Sequence, residues 1–122
     1  MKIDWGYLRK GWKSCKKSQE VLETHQVITN EVVDARKERI DARKGWDLIH
    51  KAKSITTVKG KKVQRWDPGV GDKATILQHV MGWSGNLRAP AYRIEDEFVI
   101  GFNPKFYDEW MTEKQANFSL LA

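Results

Sequence analysis

The chain has 122 residues, 40% hydrophobic and 31% charged, with 22 Lys and Arg against 16 Asp and Glu for a formal net charge of +6. That length fits one domain able to bury a core without disulfide or metal staples, and no apolar run approaches the ~20 residues that a bilayer span needs. The single cysteine excludes an internal disulfide and suits a reducing compartment, so the cytoplasm is expected.

The opening MKIDWGY alternates polar and apolar residues, which is not the pattern of a signal peptide. Residues 2–8 predict a strand with Ile3, Trp5 and Tyr7 on one face. Residues 9–12, RKGW, make a connection in which Gly11 is free to turn. Lys13 to about His25 reads as a helix with Cys15, Ser18 and Leu22 on one side. Residues 27–33, VITNEVV, are rich in β-branched side chains and predict a second strand, parallel to the first.

The charged stretch 34–44 contains a single DARK…DARK echo, which is not a repeat architecture. Asp41 caps a helix expected to run to about Lys53 with Trp46 and Ile49 inward. Residues 54–66 are ambiguous between strand and loop, and DPGVG then breaks the chain. Asp72 caps a further helix with a buried stripe of Ile76, Leu77, Val80 and Met81. Residues 91–94 and 97–100 predict a hairpin turning at Glu95-Asp96. Asn103-Pro104 is a helix start, and Phe106 and Trp110 pin that helix inward. The expectation is one domain over 1–114 and a loose tail over 115–122.

The chemistry-bearing stretch is GWKSCKKSQ, residues 11–19, which places the lone Cys15 three residues after Trp12. Residues Arg9, Lys10, Lys13 and Lys16 surround it. A second basic group, Lys59, Lys61 and Lys62, lies in KGKKVQRW. The charge excess reads first as a solvated surface and, more sharply, as a face for an anion or an acidic partner. Nucleic acid is the less expected partner, because no recognisable nucleic-acid module is present. The three histidines have no metal-ligand spacing, and Gly69-Val70-Gly71 is neither a P-loop nor a dinucleotide fingerprint, so no metal and no bound cofactor is expected.

The order β-α-β, a helical middle, an α-helix, a β-hairpin and a last helix is that of an α/β chain with a mixed sheet. With YLRKGWKSCKKSQEVLE and NLRAPAYRIEDEFVIGFN, it resembles the ArsC/Spx-like (arsenate reductase-like) family over roughly residues 2–112. The resemblance implies a thioredoxin-like fold with a helical insertion between the βαβ unit and the C-terminal hairpin and helix. It also implies an active-site loop of Cys-x-x-Cys or Cys-x-x-Ser form. Trp12 falls on the nucleophile position and Cys15 on the resolving thiol. A second register would make Cys15 the nucleophile of a Cys15-x-x-Ser18 motif.

Some relatives carry selenocysteine at the first position. Selenocysteine is encoded by UGA, one base from the tryptophan codon UGG, so Trp12 is either a native tryptophan or stands where a selenocysteine belonged. Gly11, Ser14, Arg88, Ala89 and Pro90 are the implied active-site wall. A trans Pro90 opening a strand is the expectation from residues alone, whereas the family's proline is cis. Ala89 stands where an arginine often sits, and arsenate is therefore not the expected substrate.

The activity implied is thiol- or selenol-dependent oxidoreduction of an oxidised substrate, with glutathione or thioredoxin as external reductant and a redox partner protein or small thiol as partner. As written, with Trp12, the chain would be inactive. The alternative is a non-catalytic binding module with a protein partner, as in Spx-like relatives.

Overall fold

In the computed structural model, which describes residues 1–121, the first strand–helix–strand unit forms as the pattern predicts. β1 (Lys2–Leu8), α1 (Lys13–Thr24) and β2 (Ile28–Asp34) make a parallel crossover, with Lys2 opposite Ile28 and Leu8 opposite Asp34. Gly11 supplies the turn into α1 at φ 92°, a conformation that costs glycine nothing sterically. β1 is buried on both sides, so both of its faces carry apolar residues. Trp5 and Tyr7 join one core cluster and Ile3 the other.

The middle of the chain departs from the expected helical insertion. α2 (Ala42–Ile49) starts at Asp41, whose side chain accepts from the Lys44 N–H, but it stops well before Lys53. A hairpin follows, β3 (Ser54–Lys59) and β4 (Lys62–Trp66), and only then α3 (Lys73–Val80), capped by Asp72. The hairpin has a signal in the sequence. Gly60 opens its two-residue connection at φ 58°, as a mirror-image hairpin turn requires.

β5 (Ala91–Ile94) and β6 (Glu97–Ile100) form the second hairpin, and α4 (Pro104–Leu121) closes the chain. Asn103 caps α4 by accepting from the Phe106 N–H at 3.0 Å. The fully buried anchors of α4 are Tyr107 and Met111, while Phe106 and Trp110 are only half-buried. The tail expected over 115–122 is instead helix through Leu121, and position 122 lies outside the described residues.

The strands join one six-stranded mixed sheet in the order β2-β1-β5-β6-β3-β4. β5 runs antiparallel to β1, and β3 runs parallel to β6. Each face carries its own core. Phe98 and Ile100 of β6 pack with Ile49, Ile76 and Val80 of α2 and α3, whereas Val99, between them in sequence, packs with Leu22 of α1 and Tyr107 and Met111 of α4. A sheet covered by helices on both faces is the layered arrangement expected of an α/β chain. No helix among the described residues is long and apolar enough to cross a membrane.

Candidate functional site

The connection between β1 and α1 sets the site. Trp12 occupies the N-cap position of α1 in extended backbone (φ −84°, ψ 133°) and makes no side-chain cap hydrogen bond. The first amides of α1 thus lack the side-chain acceptor that Asp41, Asp72 and Asn103 provide to the other three helices. The Trp12 indole is 43% exposed, and the Arg9 guanidinium lies 4.8 Å from its ring centroid, a cation–π contact.

One turn further on, Cys15 is 2% exposed. Its Sγ accepts from the Arg9 backbone N–H at 3.3 Å. Burial raises the thiol pKa above its ordinary value, and the Arg9 N–H and Ser14 hydroxyl only partly offset this. Ser18, the partner in the alternative register, is fully buried behind it. Its Oγ donates to the Cys15 carbonyl at 2.7 Å and lies 2.8 Å from the Tyr92 hydroxyl, itself pushed up by burial. Position 12 is therefore open, Cys15 is sealed, and Ser18 is committed to the interior.

The wall residues divide. The Ala89–Pro90 peptide is cis, which corrects the trans expectation. Pro90 is fully buried, its carbonyl accepting from the Gly101 N–H, so it backs the site rather than facing it. Arg88 and Ala89 share a cleft with Trp12. Arg88 is tied to the fold: its guanidinium donates to the Val58 carbonyl at 2.7 Å and to the His79 carbonyl at 3.0 Å, and burial lowers its pKa. Gly101, at φ 101°, leaves the room for this, since a Cβ there would meet both the Val58 carbonyl and the Arg88 guanidinium.

The basic residues do not form one surface. Lys10, Lys13 and Lys16 border a hollow of about 760 Å³ beside Cys15, with Gly11 and Asp34. Lys59 and Lys62 border a separate cleft of about 690 Å³ on the α2–α3 face. Arg9 and Trp12 border both and separate them, whereas Lys61, exposed in the hairpin turn, borders neither.

Sequence reading missed Trp83, which stands 99% exposed at the cleft's rim. Its signal was a large aromatic in the Gly/Ser stretch MGWSGN. Asn86 holds that loop: its Oδ1 accepts from the Ile40 N–H at 2.6 Å and its Nδ2 donates to the Tyr7 hydroxyl at 3.0 Å. No group of three or more His, Cys, Asp or Glu side chains suited to a metal is present among the described residues.

The chain matches no family model, no curated protein and no solved structure.

Proposed function

We propose that this chain has a thioredoxin-like fold of the ArsC/Spx-like kind, and that positions 12 and 15 are the exchange pair of a thiol- or selenol-dependent oxidoreductase of the cytoplasm. The observation that carries this reading is the contrast along one helical turn. Residue 12 is open at an uncapped helix start, and Cys15 is sealed directly behind it. The strand order β2-β1-β5-β6, with β5 antiparallel to β1, is the order that such a fold requires.

Uncapped amides at a helix N-terminus favour an anion, so a thiol or selenol at position 12 would ionise readily there. The buried Cys15, its pKa raised, stays protonated and does not compete for substrate. In the exchange, the anion at position 12 attacks one sulfur of a substrate disulfide and expels the other as thiolate. The Cys15 sulfur then attacks residue 12, giving its proton to the departing substrate sulfur. An internal bond forms, and the substrate leaves with the two electrons of the pair. Glutathione or thioredoxin, as external thiol, returns the pair to its reduced form. Tryptophan can neither ionise nor attack, so the chain as written lacks this activity.

The test is Trp12→Cys. Under mild oxidant the variant is expected to lose a pair of hydrogens by intact mass and to regain them with thioredoxin, while Trp12→Cys/Cys15→Ala does not. A Trp12→Cys variant that stays reduced sinks the reading. Codon 12 of the source gene separates its two forms: UGA makes the tryptophan a surrogate for selenocysteine, and UGG makes it native.

A second reading is favoured by Trp12 itself. Its indole is held by Arg9 and walls a large cleft, as suits a non-catalytic binding module with a protein partner.

A further inference from the structure

The cleft on the α2–α3 face is lined by Arg9, Lys59 and Lys62, and no Asp or Glu lines it among the described residues. None of these three cations makes an ion pair among the described residues. Lys59 and Lys62 face each other across β3 and β4 in register, at the mouth of the hairpin. Like charges placed directly opposite in a sheet destabilise it. An anion bound between them would turn that repulsion into attraction.

The rest of the cleft mixes polar side chains, Thr57, Gln64, Gln78 and His79 among them, with an apolar stretch of wall. Met81, Leu87 and Ala89 contribute to its wall, and Trp83 stands at its rim almost wholly in water. A small tetrahedral anion would leave this surface uncovered, and the Arg88 guanidinium that could clamp one is already given to two carbonyls. A single-stranded nucleic acid stacks successive bases on several free aromatic faces, whereas among the described residues of the cleft Trp83 alone offers an open ring and one face of Trp12 is taken by Arg9. Carboxylates interleaved with apolar side chains satisfy both halves of the cleft.

We infer that this cleft is a docking groove for an acidic, partly apolar segment of a partner protein, with carboxylates at Arg9, Lys59 and Lys62 and an apolar side chain under Trp83. Exposed tryptophan and arginine are the side chains that dominate such interfaces. The inference goes beyond the exchange reading and deepens the second one, naming the chemistry of the partner for the same cleft, and it stands whether residue 12 is tryptophan, cysteine or selenocysteine.

The test is fluorescence anisotropy of the full chain with a short fluorescein-labelled peptide alternating Asp, Glu and Leu, at low and near-physiological salt. Binding is expected, weakening about tenfold or more as salt screens the rim charges. Lys59→Glu/Lys62→Glu should weaken it by at least about tenfold and Trp83→Ala severalfold. Lys51→Glu/Lys105→Glu, the same change of net charge away from the cleft, should bind as the parent does. A Lys59→Gln/Lys62→Gln variant gives the same direction if the reversal disturbs the hairpin, with folding followed by circular dichroism. Absent binding at low salt overturns the inference. So does equal weakening by the Lys51/Lys105 control, or tighter binding of labelled oligo-thymidine that is lost in the Lys59/Lys62 variant. None of these outcomes bears on the Trp12→Cys disulfide, so the two proposals fail separately.

Discussion

The two helical layers that cover the sheet are built differently. α1 and α4, with 12 and 18 residues, seal their face. Between them and the sheet Tyr92 of β5 and Tyr107 and Met111 of α4 are fully buried, and the Tyr107 hydroxyl donates to the Gly101 carbonyl at 2.6 Å. α2 and α3 have eight residues each, too short to cover the β3–β4 hairpin, and the cationic cleft is what they leave open. The sealed layer holds Cys15 out of water, and the open layer carries Trp83 together with Lys59 and Lys62, which make no ion pair among the described residues. Positions 12 and 15 sit at the boundary, which is why one helical turn separates an open residue from a closed one.

The largest effect should come from the sealed layer. Met111→Ala is expected to cost about 2–5 kcal/mol, because it empties space that a closed layer cannot refill. Trp83→Ala on the open side should stay within about 0.5 kcal/mol. Urea denaturation of both variants measures the contrast, and similar losses would erase it.

Next are the helix starts. Asn103→Ala removes the cap of α4 and also its link to the Gly60 carbonyl, a loss of about 1–2 kcal/mol. Trp12→Ser supplies α1 with the cap it lacks and should raise stability by up to about 1 kcal/mol. A drop in thermal midpoint for Trp12→Ser would show that the Arg9–Trp12 stack outweighs the open amides.

Tyr92→Phe deletes one partner of the buried Ser18 hydroxyl but leaves its bond to the Cys15 carbonyl, so a loss of about 1 kcal/mol is expected. A loss several times larger would mean that the Cys15–Ser18–Tyr92 network acts as a unit.

The smallest effect is alkaline. Cys15 has its pKa raised in the folded state, chiefly by burial. The folded chain then holds the proton after the unfolded chain has released it. The stabilisation is complete below the unfolded thiol value of about 8.5 and falls as pH rises through it toward the folded value. Denaturation midpoints of the parent should decline more steeply than those of Cys15→Ala between about pH 8.5 and about 10, below the ordinary range of tyrosine ionisation. Native Cys15 should also react slowly with an aromatic disulfide reagent at pH 8 or so, and rapidly once unfolded.

Local chemistry and tertiary structure divided the rest between them. The first strand–helix–strand unit, the caps at Asp41, Asp72 and Asn103, and the second hairpin were legible because each depends on neighbours in the chain: side-chain periodicity, one carboxylate or amide reaching a nearby N–H, a short turn. The burial of Cys15 and Ser18 followed from the same helical spacing. Residues 54–66 read equally as strand or loop because the exposed face of the β3–β4 hairpin is polar and lysine-rich, although Gly60 marks the turn. Tyr107 and Met111, not Phe106 and Trp110, became the anchors of α4 because only packing against α1 and the sheet chooses which stripe turns inward. The separation of the basic residues into a hollow and a cleft, and the meeting of Arg9 with Lys59 and Lys62, depend on strand order. β1 and β3 are kept apart by β5 and β6, and no spacing in the sequence encodes that distance. Charge count and helix register were thus set by the residues themselves, whereas the side chains that share a surface were chosen by the sheet, through contacts between segments far apart in the chain.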